Sequence, residues 1–168
     1  WGNNQGDGAG LAATDKGVYK CEWPNVWHLS NSGLTDVSLY CVVMAPSFNL
    51  NHTAFVGTWG AGVLKSTNEG GTWTPVDPSS TKTIYSLAIS PGWTTDRTIV
   101  AGDYGNVMLS TDGGTSWTPI KAGLPSTTIS SLAITNSSPK VIYAATSQGL
   151  YQYTLLAWSD YKHIFIPV

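Results

Sequence analysis

Two carboxylates, Asp15 and Asp103, fall in turn-like segments that an internal repeat puts on one face of the molecule. Two carboxyl groups across a glycosidic bond, one held protonated and one ionised, are what glycoside hydrolysis requires. Asp15 and Asp103 share that face by the repeat's arithmetic and are the candidate pair, although the commoner state of a loop aspartate is simply solvated. Trp59 and Tyr104 occupy equivalent repeat positions on the same face. Flat aromatic faces beside a few polar groups make a platform for sugar rings, whose C–H faces are apolar. The alternative is that the two rings pack against neighbouring elements or another subunit.

Other chemistries find no matching spacing. His28, His52 and His163 are scattered, and Cys21 and Cys41 form no Cys-x-x-Cys pair, so no metal site is expected. No serine sits in a Gly-x-Ser-x-Gly elbow, and the glycine-rich segments do not lead into helices that could cradle phosphate. No cofactor is implied. Only 11% of residues are charged and the net charge is −2, which argues against a nucleic-acid partner. There is no run of 18 apolar residues to span a membrane.

The elements that must position these residues follow from the repeat. Ser110-Thr111-Asp112-Gly113-Gly114-Thr115-Ser116-Trp117 has an earlier copy, Ser66-Thr67-Asn68-Glu69-Gly70-Gly71-Thr72-Trp73, 44 residues upstream. In this spacing Ser66, Asn68, Ser110 and Asp112 bond to turn amides, Gly70 and Gly114 take positive φ, and Trp73 and Trp117 pack beneath. The pattern resembles the Asp-box, or BNR, repeat, Ser-x-Asp-x-Gly-x-Ser/Thr-Trp. The resemblance implies an all-β fold, a β-propeller of four-stranded antiparallel blades, as in sialidases, the sortilin luminal domain and xyloglucan-degrading glycosidases. It does not imply one function, since one superfold hosts many chemistries. Sialidases grip their substrate's carboxylate with three arginines. Arg97 is the only arginine here, so sialidase activity is not expected.

Four blade units are expected, at about 1–34, 35–78, 79–123 and 124–168, each with strands a to d from inside to outside. Strands a are expected at 37–44, 84–89 and 129–134, strands b at 11–14, 54–58, 99–103 and 141–146, and strands c at 17–21, 63–66, 107–110 and from 149. Strands d begin at Trp27, Trp73, Trp117 and Trp158. The first unit therefore lacks strand a. Three solutions are open: the tail Ile164, Phe165 and Ile166 returns as that strand, the tail or an edge completes a second copy, or the chain is part of a longer propeller. Typical blade numbers in the resembled families favour the last. The tail's plainest alternative is an outer strand of the last blade. The start at Trp1 rather than Met also points to a processed or excised chain.

Cys21 and Cys41 form either one disulfide or two buried thiols. Asn51-His52-Thr53 and Asn136-Ser137-Ser138 are glycosylation sequons on expected loops, which suggests a location outside the cell or on its surface. The expected function is non-catalytic binding or self-assembly, with other copies, remaining blades or glycans as partners. The alternative is a glycoside hydrolase or its glycan-binding portion.

Overall fold

The computed structural model describes residues 10–22, 24–76, 81–120, 123–155 and 166–168. The first sheet holds β1 (Gly10–Thr14), β2 (Gly17–Glu22) and β3 (Val26–Leu29). The second holds β4 (Leu39–Met44), β5 (Ala54–Thr58), β6 (Val63–Ser66) and β7 (Thr74–Pro75). The third holds β8 (Ser86–Ile89), β9 (Ile99–Gly102), β10 (Val107–Ser110) and β11 (Thr118–Pro119), and the fourth β12 (Ile129–Ile134), β13 (Lys140–Thr146), β14 (Gly149–Leu155) and β15 (Ile166–Pro167). Within each sheet every strand pairs antiparallel with its neighbours in sequence. Two single-turn helices, α1 (Phe48–Asn51) and α2 (Trp93–Asp96), link the first and second strands of the middle sheets.

Consecutive sheets pack through their inner strands, β1 against β4, β4 against β8 and β8 against β12. Side chains alternate across a strand, so a strand between two other sheets must be apolar on both faces. On β5, Ala54 and Val56 join the layer against the first sheet, and Phe55 joins the layer against the third. On β9, Ile99 and Ala101 face the second sheet while Val100 faces the fourth. The core is therefore three inter-sheet layers. This is why the middle strands read as continuous apolar runs.

The repeated turn locks each sheet to the one before it. Ser66 Oγ accepts the Gly70 amide at 2.8 Å, and Ser110 Oγ accepts the Gly114 amide at the same distance. Upstream, His52 and Arg97 close α1 and α2 at φ 51° and 50°. That conformation turns their carbonyls to the turns, where they accept the Glu69 and Gly113 amides, each at 3.0 Å. The two tryptophans diverge. Trp73 is buried and donates its indole N–H to Ser30 O, in the segment after β3, whereas the partly buried Trp117 donates to Gly114 O in its own turn. Lys20 reaches from β2 to Glu69 at 3.2 Å and Glu22 at 3.0 Å. That hydrogen bond holds the Glu69 carboxyl below its usual range.

Several expectations need correction. The outer strands of the middle sheets begin at Thr74 and Thr118, one residue past the tryptophans, because the Trp side chains turn inward before the chain joins the sheet edge. Among its described residues the tail supplies no inner strand to the first sheet. Ile166–Pro167 pairs with β14 as the outer strand of the fourth sheet, while Ile164, Phe165 and Trp158 lie outside the described residues. Cys21 and Cys41 are free thiols. Cys41 packs into the layer between the second and third sheets, and Cys21 pairs with Trp27 on the face of the first sheet turned from the second, which separates the two sulfurs. Burial pushes the Cys41 thiol up to about 12.

The sequons divide. Asn51 has a structural role: Nδ2 donates to Pro46 O at 2.7 Å and Oδ1 accepts the Thr53 amide at 2.9 Å. Asp96 and Thr98 repeat the second of these bonds in the next sheet, at 2.8 Å. Asn136 is exposed on the loop between β12 and β13.

Candidate functional site

The face bearing the turns between second and third strands is built on bulges in the inner strands. The β4–β5 register shifts between Leu39 and Cys41, which leaves Tyr40 as the extra residue. In the third sheet Tyr85 donates its amide to Gly102 O at 2.9 Å, although Gly102 is already the ladder partner of Ser86. Such bulges re-aim a side chain out of the ladder. Tyr40 and Tyr85 thereby come together, with centroids 5.1 Å apart at 52°.

Trp59 extends this series. Its ring stacks on Tyr40 at 5.9 Å and 19°. Its backbone is held on both sides, by an amide bond to Ser38 O at 2.9 Å and by the Thr83 hydroxyl, which donates to Trp59 O. The ring is 61% exposed, and Tyr104 is 65% exposed. Tyr104 is fixed by its bridge to Thr128 and by the Gly105 amide, which donates to Thr127 O at 2.7 Å. Aromatic rings on immobilised backbone thus run along one rim.

Two cavities flank the series. The larger, about 520 Å³, is lined by Lys82, Tyr85, Asp103, Tyr104, Asn106 and Ser126, among others. The smaller, about 190 Å³, is lined by Asp15, Ser38, Leu39, Tyr40 and Trp59. In the larger, Lys82 Nζ lies 3.2 Å from Asp103 Oδ2. Asp103 is only 6% exposed, and its Oδ1 has no hydrogen-bond partner, nor does the buried Oδ1 of Asn106.

Asp15 and Asp103, the expected carboxylate pair, line different cavities, and each cavity has one carboxylate among its described lining residues. Asp15 is exposed while Asp103 is buried. Trp59 and Tyr104 share the expected face but also belong to different cavities, with Tyr40 and Tyr85 between them. The residues of the repeated turn hold structure, as their bonds show. Among the described residues no group of three His, Cys, Asp or Glu side chains is placed to hold a metal ion. Tyr40, Tyr85, Lys82 and Asn106 were not legible as site residues. A signal did exist for the first two, since Tyr40 and Tyr85 recur 45 residues apart, as Trp59 and Tyr104 do.

No family model and no curated protein sequence matches this chain. Solved structures do. An ancestral GH74 enzyme superposes with a TM-score of 0.69 at 22% identity, over 90% of this chain and 22% of that one. The extracellular domain of BT4673 from B. thetaiotaomicron does so in two structures. One has a TM-score of 0.69 at 20% identity, covering 97% of this chain and 21% of that one, and the other 0.66 at 19%, covering 91% and 20%. The neighbours are β-propeller-type folds. Identities this low carry the fold and nothing finer. The chain spans about a fifth of the length of the structures it matches.

Proposed function

We propose that this chain is an Asp-box propeller segment of an extracellular protein, and that it binds glycans without catalysing their cleavage. The observation that carries the reading is the series of adjoining rings Trp59, Tyr40 and Tyr85, the first two exposed to solvent, positioned by strand bulges and a fixed loop. Exposed rings held rigidly lose little conformational freedom when a ligand covers them. A glycoside hydrolase and an extracellular domain among the structural neighbours support the substrate class and the location. The exposed sequon at Asn136 agrees with that location. The placement of Asp15 and Asp103 in separate cavities favours binding over hydrolysis.

The test is calorimetric titration with neutral hexasaccharides: cellohexaose, xylohexaose, mannohexaose and hexa-N-acetylchitohexaose. At least one should bind intact, and Trp59→Ala should weaken it about tenfold, the worth of one stacked ring. Release of shorter sugars during titration would overturn the non-catalytic reading.

A second reading, assembly, rests on the two end faces. Ala12, Tyr19, Cys21, Trp27 and Leu29 share the face of the first sheet turned from the second, with Trp27 50% and Leu29 56% exposed. On the fourth sheet Tyr143, Ala145 and Leu150 share the opposite end face. In repeat register the first face matches the positions of Val56 and Leu64, which face the preceding sheet, and the last matches Phe55 and Val63, which face the following one. The ends therefore have the composition of one more inter-sheet layer, completed by further blades or by another copy. Light scattering of the 17.9 kDa chain tests self-association. Leu29→Lys should return assemblies to monomers, and a wild-type monomer at high concentration would leave further blades as the completing element.

A further inference from the structure

Three of the four sheets close the corresponding turn, β1–β2, β5–β6 and β13–β14, in one way. A threonine hydroxyl donates to a glycine carbonyl across the turn: Thr14 to Gly17 O at 2.8 Å, Thr58 to Gly62 O at 3.0 Å and Thr146 to Gly149 O at 3.0 Å. In the third sheet Asp103 stands in that position. A carboxylate cannot donate this bond. Only the backbone bond remains, with the Asp103 amide donating to Asn106 O at 3.0 Å as the Thr58 amide donates to Gly62 O at 3.1 Å. A repeat that departs from its own structural solution at one site, and buries a charged group there, marks a functional position.

The departure leaves unpaired acceptors on two residues that line the larger cavity. Asp103 Oδ1 and Asn106 Oδ1 are both buried without a partner, although a buried acceptor left unsatisfied is costly. Lys82 lies against Asp103 Oδ2 and offsets its charge, so the cavity carries no net attraction for a cation. Its unmet need is for neutral hydrogen-bond donors. Tyr85 both lines this cavity and adjoins Tyr40, so a ligand lying on the rings reaches the cavity directly.

Resting on the glycan-binding reading above, we infer that the Asp103–Asn106 cavity is a subsite for one neutral pyranose unit. Sugar hydroxyls donate to the Asp103 carboxylate and the Asn106 amide oxygen as these side chains turn towards the ligand, and the aromatic series carries the rest of the chain. Asp103 and Asn106 then determine specificity, selecting neutral hydroxyl-bearing sugars over cationic amino sugars, which Lys82 disfavours.

The test titrates the tightest-binding neutral hexasaccharide and a hexamer of β-1,4-linked glucosamine into wild type, Asp103→Thr, Asn106→Ala and Trp59→Ala. Asp103→Thr restores the residue that the other sheets use, so it is expected to fold, and a thermal melt checks this. Losing a hydrogen bond to a charged acceptor should weaken neutral-sugar binding by about tenfold or more. Should Asp103→Thr not fold, Asn106→Ala decides the matter, with an expected loss of about fivefold. Unchanged affinity in the folded Asp103 and Asn106 variants, with loss in Trp59→Ala, would overturn the subsite and leave the aromatic platform standing. Loss only in the cavity variants would do the reverse. Tighter binding of the glucosamine hexamer than of every neutral sugar would overturn the neutral class, and absence of all binding would overturn both.

Discussion

The ring of Tyr40 lies over that of Trp59, with 5.9 Å between centroids and 19° between planes. Tyr40 comes from a strand bulge and Trp59 from the following turn, so the contact fixes one exposed ring with another. Tyr40→Ala should lower unfolding stability by about 1 kcal/mol, the worth of an aromatic pair, and should weaken hexasaccharide binding more than the stability loss suggests. Tyr40→Phe should preserve both. Denaturant melts and calorimetry on the two variants check this, and a binding loss in Tyr40→Phe would assign the role to the hydroxyl.

Asp112 predicts an acid-side loss of stability. Its carboxylate accepts the Ser116 hydroxyl at 2.6 Å and amide at 2.9 Å, with further bonds from Ser110 and Thr115, which hold it down to about 2. A depressed carboxyl contributes stability above its ordinary value near 3.9, and that contribution fades as pH falls towards 2. Asn68 fills the same place in the preceding turn with bonds to Ser66 and Thr72. Asp112→Asn should therefore fold with little change at pH 7 and flatten the pH dependence between about 4 and 2. Asp112→Ala should cost about 1 kcal/mol at pH 7, from the lost bonds at an exposed turn.

The glycine of the repeated turn is required twice over at Gly114. Its φ is +90°, and a Cβ there would lie 3.1 Å from Phe55 Cε1. Gly114→Ala should cost about 1–2 kcal/mol for the left-handed backbone alone, with more for displacing Phe55. A shift of the denaturation midpoint without a change in slope would identify a folded-state effect.

Both cysteines should alkylate without reductant in denaturant, giving a mass increase of two adducts. In the native protein Cys41 should resist a thiol reagent at pH 8, since burial holds its thiol up at about 12 and the thiolate is the reacting form. Rapid native labelling of Cys41, located by peptide mapping, would show that the layer between the second and third sheets opens.

Much of the fold was legible because the repeat restates it. β5, β6, β10 and β12 have the bounds expected from copies 44 or 45 residues apart, and apolar runs marked the strands packed on both faces. The repeated turn was equally legible. The bonds inside it, Gly70 amide to Ser66 and Gly114 amide to Ser110, join residues four positions apart, so local sequence suffices to specify them. Among the solutions left open for the first sheet's missing strand, the described end of the tail does not supply it, because counting strands states which edge is open and not what covers it. In the structure Ile166–Pro167 pairs with β14 instead.

The amino-acid sequence by itself determined the strand order, the turns and the face on which Trp59, Tyr104, Asp15 and Asp103 lie, since these depend on short-range spacing and side-chain alternation. Tertiary structure alone decided how that face is divided. Asp15 and Asp103 fall into separate cavities because different sheets carry them, and their separation is set by packing between sheets. Tyr40 and Tyr85 meet because two bulges in adjacent sheets aim them at one another. Asp103 keeps a bare, buried oxygen because Lys82 reaches only the other one. Such contacts join residues far apart in the chain, and no local spacing encodes them.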